Sequence, residues 1–271
     1  MRLHLLNNYL IFFMKEIQLY SRLLLFAMIL FQATSCKKIA EEIVKDPCAD
    51  IKFCNVKSYT FSGIGVSYPA NTATFTYDAL GNPLTVTNTV VGTGYPNQVF
   101  KYDASHRLTE FYRPYDNGQF ETWYKYIYDG SGRIAFDTTF VFGTVTPAGP
   151  TGSWQTRVTT YTYDGTCRVI KTSAVTIGDE GGSPMVQSYS YDLNGNLVRP
   201  GVLYDNKVNI HRTNKIFMFV DRDFSMNNPF TATTYNGYSL PWTISSPAAV
   251  NPSIFFLLRP IDNSTFVYQC D

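Results

Sequence analysis

The chain has 271 residues and a net charge of +1, with 16% aromatic and 16% charged residues. No basic surplus is present, which argues against a nucleic-acid partner, and the length allows one large domain or two small ones. Tyr and Phe contribute 20 residues each, a mixture that favours β-structure.

The N-terminus reads as an address. Residues 1–13 hold an apolar cluster and precede a second methionine, Met14, which is the expected true start. Lys15 and Arg22 then lead into the apolar run Leu23 to Phe31, followed by Ala33-Thr34-Ser35-Cys36. The run is short for a membrane span and has the flanks of an export signal, so residues 1–35 are expected to be a signal peptide. Removing Arg2, Lys15, Arg22 and Glu16 with it takes 22 basic and 21 acidic residues to 19 and 20, a net charge of −1. Ala33-Thr34-Ser35-Cys36 resembles a bacterial lipobox, with Ala where Leu is commonest. That resemblance implies cleavage before Cys36 and lipidation of its sulfur, which would anchor the protein to a membrane. An ordinary cleaved signal before an incidental Cys36 is the alternative. Periplasm-facing and surface-facing placements in the cell envelope both fit.

Residues 36–58 read as a tether. Ile39 to Val44 has helical character that Pro47 ends. Cys48 and Cys54 are six apart, and an exported protein would accommodate a local disulfide between them. A metal site there has less support, with no second Cys pair or His nearby. Cys167 and Cys270 cannot be paired from sequence.

From residue 59 the chain repeats. Aromatic-x-Tyr-Asp recurs at Phe75 to Asp78, Phe100 to Asp103, Tyr126 to Asp129, Tyr161 to Asp164 and Tyr189 to Asp192. Alternation puts both aromatics of each copy on one strand face. Asp78, Asp103, Asp129, Asp164 and Asp192 then end their strands by bonding the N–H groups ahead. Three residues on stand Gly81, Gly132 and Gly195, where a hairpin loop needs left-handed backbone. His106 and Cys167 hold that position in two copies and imply either another turn type or modest strain. An Arg or Asn and an aliphatic residue follow. Each copy is thus a hairpin, and the series predicts an all-β protein, an antiparallel meander forming a twisted or curled sheet. The turns after each Asp are nearly constant, so the length variation falls on the opposite edge. A loop-borne ligand site is expected there.

Tyr191 to Leu197 and Tyr128 to Ile134 resemble YD repeats, the units of Rhs-type and teneurin-type shells. The resemblance covers about residues 59–205. The chain is too short to enclose a cargo, so that role does not carry over. Tyr204-Asp205-Asn206-Lys207-Val208-Asn209, an apolar stretch, and Ser225-Met226-Asn227-Asn228-Pro229 are similar to secreted lipoproteins with no established activity. In the closing segment, 206–271, residues 214–220 suit a short helix or a buried strand. Tyr235-Asn236-Gly237-Tyr238 signals a two-residue hairpin, and 254–258 with 265–270 suggest a closing hairpin.

The candidate chemistry is sparse. The repeat aspartates recur every second strand, about 10 Å apart, too far to share a cation. His106 and His211 have no nucleophile beside them in sequence. Carboxylates from distant segments can still converge, but Asp179-Glu180 lies in a glycine-rich loop that suits solvated charge. Trp123, Trp154 and Trp242 are the candidate ligand-facing aromatics, although alternating aromatics more often form a sheet core. The expectation is a non-enzymatic, lipid-anchored envelope module for binding or scaffolding, with no catalytic residue, metal or cofactor. Its partner would be a protein or a polysaccharide. The alternative is a carbohydrate-binding accessory lipoprotein of an outer-membrane glycan-uptake system.

Overall fold

The computed structural model describes residues 48, 54–61, 70–179, 182–245 and 255–270. Cys36, the signal peptide and most of the tether lie outside them. The described part is mostly β. Its strands in chain order are β1 (Cys54–Phe61), β2 (Asn71–Tyr77), β3 (Pro83–Asn88), β4 (Gln98–Tyr102), β5 (Leu108–Pro114), β6 (Gln119–Tyr128), β7 (Ile134–Thr146) and β8 (Gly149–Thr151). They continue with β9 (Gln155–Tyr163), β10 (Val169–Thr176), β11 (Met185–Ser188), β12 (Thr234–Tyr235), β13 (Pro241–Ile244), β14 (Phe255–Phe256), β15 (Arg259–Pro260) and β16 (Ser264–Cys270). Fourteen of them form one antiparallel sheet in the order β11-β10-β9-β7-β6-β5-β4-β3-β2-β1-β16-β13-β12, with β8 folded back on β7. The meander is therefore as the repeats predict.

Each Tyr-Asp copy makes the same turn. The Asp129 N–H donates to the Arg133 carbonyl and the Gly132 N–H to the Asp129 carbonyl, at 2.8 and 3.1 Å. The Asp129 carboxylate accepts the N–H groups of Ser131 and Arg133. This is a three-residue loop closed by a left-handed residue, and a register shift accompanies it at Tyr77, Tyr102, Tyr128 and Val169. His106 and Cys167 make the same turn, with φ of 58° and 74° beside 79° for Gly132. Modest strain, and not a different turn, is therefore how those two copies solve the problem. Asn236 forms a further copy: its side chain accepts the N–H groups of Tyr238 and Leu240, and Ser239 has φ of 63°. The hairpin expected at Asn236-Gly237 exists, but its loop has three residues. An Asn side chain bonding two N–H groups stabilises that longer turn.

The first aromatic of most copies sinks into the core, where Phe75, Phe100, Tyr126 and Tyr161 are buried. The second stands at the edge of the sheet, and its hydroxyl reaches back to the neighbouring hairpin. Tyr77, Tyr102, Tyr128, Tyr163 and Tyr191 donate to the carbonyls of Val56, Pro83, Leu108, Ile134 and Val169. Tyr268 does the same to Pro241 at 2.6 Å. Burial pushes the phenol of Tyr128 up to about 12, so it stays a donor at neutral pH.

Helix α1 (Lys215–Asp221) covers the inner face. Asn214 caps its start by accepting the Ile216 N–H, and Arg222 in left-handed conformation ends it. Phe217 packs edge-on against Phe75 and Phe256, and Phe219 against Tyr126. The segments flanking α1 are fastened by side-chain carboxylates and amides. Asp205 accepts the Asn228 N–H and amide, Asn209 caps the short 3₁₀ turn Ile210–Thr213, and Asp223 accepts the Ser225 N–H.

Three expectations need correction. The Cys48–Cys54 disulfide is not formed: Cys48 bonds Cys167 and Cys54 bonds Cys270. β1 pairs with β16 in the register that sets Cys54 directly opposite Cys270, so strand pairing decides the partner. Residues 54–58 belong to β1 and not to the tether. Finally, the last two apolar stretches do not pair with each other. β14 pairs with β15, while β16 enters the main sheet between β1 and β13, because that slot buries Phe266 against Tyr59.

Candidate functional site: a cleft under the turns

The turns line up along one edge of the sheet, and α1 lies beside them. Between the two is a cleft of about 520 Å³, within the roughly 300–1,000 Å³ usual for small-molecule sites. Its apolar wall comes from Leu108, Ile134, Ile216, Met218, Phe219 and Phe224, and its rim from Arg107, Arg133, His106, Ser105 and Lys215. The Cys48–Cys167 disulfide also lines it. Of the two concavities described here, this one lies on the constant edge, opposite to expectation. The reason is α1, whose placement no repeat spacing encodes.

The repeat residues explain the rim's electrostatics. Arg107 pairs with Asp103 at 2.8 Å and Arg133 with Asp129 at 3.4 Å. Each guanidinium also covers the tyrosine of the next copy, Arg107 over Tyr128 at 4.7 Å and Arg133 over Tyr163 at 5.2 Å. Arg168 repeats both contacts with Asp164 and Tyr191. The Ser131 hydroxyl, followed by the Arg133 N–H, holds the Asp129 carboxyl down at about 2. The Arg107 N–H leads the groups that lower Asp103. Burial pushes Asp78 and Asp164 up, but hydrogen bonds outweigh it and leave both below the usual carboxylate range. The aspartates are consumed by their own turns. Among the described residues no group of three or more His, Cys, Asp or Glu is placed to hold a metal ion.

His211 is the residue most like a catalytic base, and it is committed elsewhere. Its ring nitrogens lie 2.9 Å from the Asn209 side-chain oxygen and 2.8 Å from an Asp221 oxygen. Asp221 in turn accepts the N–H groups of Leu257 and Leu258. The arrangement ties α1 to the β14–β15 hairpin, and among the described residues neither nitrogen faces a nucleophile. A second buried network, which the sequence reading missed, joins Asp137, Tyr161 and Arg222. The Tyr161 hydroxyl donates to Asp137, and Arg222 donates to Tyr161 at 3.0 Å. Burial pushes the Asp137 carboxyl up, against the hydrogen bonds of Thr139 and Tyr161. Since Arg222 ends α1, this network pins the helix to the sheet. The only sequence signal for it was one acid inside an otherwise uncharged strand segment.

The three tryptophans are not brought together. Trp123 is 1% exposed and stacks on Tyr112 with ring centres 4.0 Å apart, so it is a packing residue and not ligand-facing. The Lys101 ammonium lies 5.2 Å from its ring. Trp242, 51% exposed, stands on β13 near the other end of the sheet. Trp154 is 76% exposed. Its N–H is held by the Val141 and Phe142 carbonyls at 3.0 and 2.9 Å, so the backbone is fixed while the indole projects. With Ser153, Gln155, Thr156, Ile177 and Asp179 it lines a shallow concavity of about 470 Å³ on the variable edge.

No family model matches the sequence, and no curated protein matches it. Among solved structures, the crystal structure of TcdB2-TccC3-Cdc42 aligns with 50% of this chain and 8% of that chain, at 12% identity and a TM-score of 0.24. The crystal structure of TcdB2-TccC3-TEV aligns with 70% of this chain and 11% of that chain, at 12% identity and a TM-score of 0.24. The chain spans about a tenth of the length of those two.

Proposed function

We propose that the protein is an exported, non-enzymatic binding module, held at a cell-envelope membrane by lipid on Cys36. The observation that carries this reading is the cleft beside α1, whose walls are suited to holding a ligand and whose two rim arginines are already engaged in the fold. The disulfides Cys48–Cys167 and Cys54–Cys270 point to an extracytoplasmic protein, in keeping with an export signal. The first of them also fastens the N-terminal side of the chain to the β9–β10 turn. Rigidity supports the binding role, because a preformed site loses little freedom when its ligand arrives. The anchor is tested by fractionating cells that express the wild-type chain or Cys36→Ala. The wild type should sediment with membranes and the variant should be released. Equal partitioning of the two rejects the anchor.

A second reading, carbohydrate binding, has its own observation. The fixed backbone and projecting indole of Trp154, beside hydroxyl, amide and carboxylate groups, suit a sugar ring that stacks on one face and hydrogen-bonds at its rim. A glycan-array screen with wild type and Trp154→Ala tests it. Binding that disappears in the variant supports a polysaccharide partner, and an array without signal removes this reading.

A further inference from the structure

The cleft under the turns has a charge pattern that selects its ligand. Of the three permanent cations among its described lining residues, two are already paired, Arg107 with Asp103 and Arg133 with Asp129. No carboxylate is among its described lining residues. Asp78, the nearby turn acid whose copy has Asn82 in place of Arg, is occupied by the N–H groups of Leu80 and Asn82 and by the Asn82 amide. Lys215 is exposed and makes no ion pair among the described residues. Asp78 keeps its charge but stands outside the lining, and Lys215 is the one permanent cation among the described lining residues that has no ion-pair partner. Behind it the wall is hydrocarbon and aromatic, contributed by Ile216, Phe219 and Phe224 of the helix side and by Leu108 and Ile134 of the sheet side.

An apolar wall with a single unpaired cation at its mouth matches a ligand with an apolar body and one anionic head. We propose that this cleft binds a monoanionic amphiphile, an acyl chain ending in a carboxylate. The chain lies along Ile216, Phe219 and Phe224, and the head group meets Lys215 with the outer N–H groups of Arg107 and Arg133. Burial of methylene groups supplies most of the affinity, at about 0.8 kcal/mol each. The exposed ion pair supplies orientation more than strength. The proposal deepens the reading of the protein as a binding module and does not depend on its anchor.

Titration calorimetry with dodecanoate tests it, using the mature chain carrying Cys36→Ala so that no attached lipid competes. One molecule should bind per chain. Dodecyltrimethylammonium, with the same tail and the opposite charge, and butanoate, with the same head and no tail, should not. Lys215→Glu should weaken dodecanoate by about tenfold or more. Ser105→Trp, at an exposed position on the rim, should abolish binding by filling the mouth while leaving the near-ultraviolet circular dichroism of the core unchanged. The proposal is overturned if dodecanoate does not bind, if the cationic amphiphile binds equally well, or if neither substitution alters the affinity. A chain that binds dodecanoate yet never sediments with membranes rejects the anchor alone. A membrane-bound chain that ignores dodecanoate rejects the cleft alone.

Discussion

The Tyr128 hydroxyl donates to the carbonyl of Leu108 at 2.9 Å, although the two residues belong to successive repeats. Leu108 opens the strand returning from one turn, and Tyr128 closes the strand entering the next. The same bond recurs from Tyr77, Tyr102, Tyr163 and Tyr191. The Tyr of the motif is thus the link between hairpins, and the Asp is the link within one.

Tyr128→Phe should therefore lower stability by about 1 kcal/mol, the usual net value of one hydrogen bond. Part of that comes from the Leu108 carbonyl, which loses its partner in a half-buried setting. For a domain of this size the melting temperature should fall by about 2–4 °C. Urea denaturation of the variant beside wild type measures it, and an unchanged midpoint would show that water replaces the bond.

Acid should loosen the turn edge first. The Asp129 carboxyl sits at about 2, held down first by the Ser131 hydroxyl, and Asp103 is lowered, first by the Arg107 N–H. A depressed folded value means that the contribution is fully present above the unfolded value, near 4, and is lost as pH falls toward about 2. Melting temperature should hold from neutrality to about pH 4 and then decline. In Asp129→Asn the decline should be shallower, because one of the titrating groups is gone. A curve as steep as wild type would show that Asp129 does not contribute to it.

The meander was legible in the sequence because each repeat encodes its own turn: Asp to accept two N–H groups, a residue for left-handed backbone, and a bulge that resets the register. The first core aromatic was legible from strand alternation. What spacing could not show was anything set by the path of the closing segment. Asn236 makes the same turn as the aspartates, but without a carboxylate it broke the pattern. β16 returns beside β1, so Cys270 meets Cys54 across 216 residues, and the cleft exists only because α1 settles beside the turns. Strand alternation does not predict the burial of Trp123, which sits on the face opposite the core aromatics. That face is normally solvated, yet here Tyr112, Phe120 and Lys101 cover the indole.

The two disulfides close loops of 119 and 216 residues. In the chain-entropy account a loop of about 100 residues is worth roughly 4.7 kcal/mol, and longer loops slightly more. Removing Cys54–Cys270 by a double Ser substitution should thus destabilise the protein by about 5 kcal/mol. The Cys54–Cys270 variant frees β1 and β16 from each other, the pair that joins the closing strands β13 and β12 to the meander. Non-reducing peptide mapping should recover the 48–167 and 54–270 cross-links, and a 48–54 cross-link would contradict the pairing.

Trp123 and Trp154 should separate cleanly in experiment. Trp123 is enclosed between Tyr112 and Phe120, so Trp123→Ala leaves a cavity and should cost about 3–5 kcal/mol. Trp154 has a fixed backbone but an indole 76% exposed, so Trp154→Ala should change stability by less than about 0.5 kcal/mol. Acrylamide quenching supplies the second readout. In Trp154→Ala the most readily quenched emission should disappear, while the shielded component from Trp123 persists. If Trp154→Ala instead destabilises the protein as much as Trp123→Ala, the indole is buried in solution. It then cannot serve as a platform for a sugar ring, and the cleft beneath the turns is left as the binding surface.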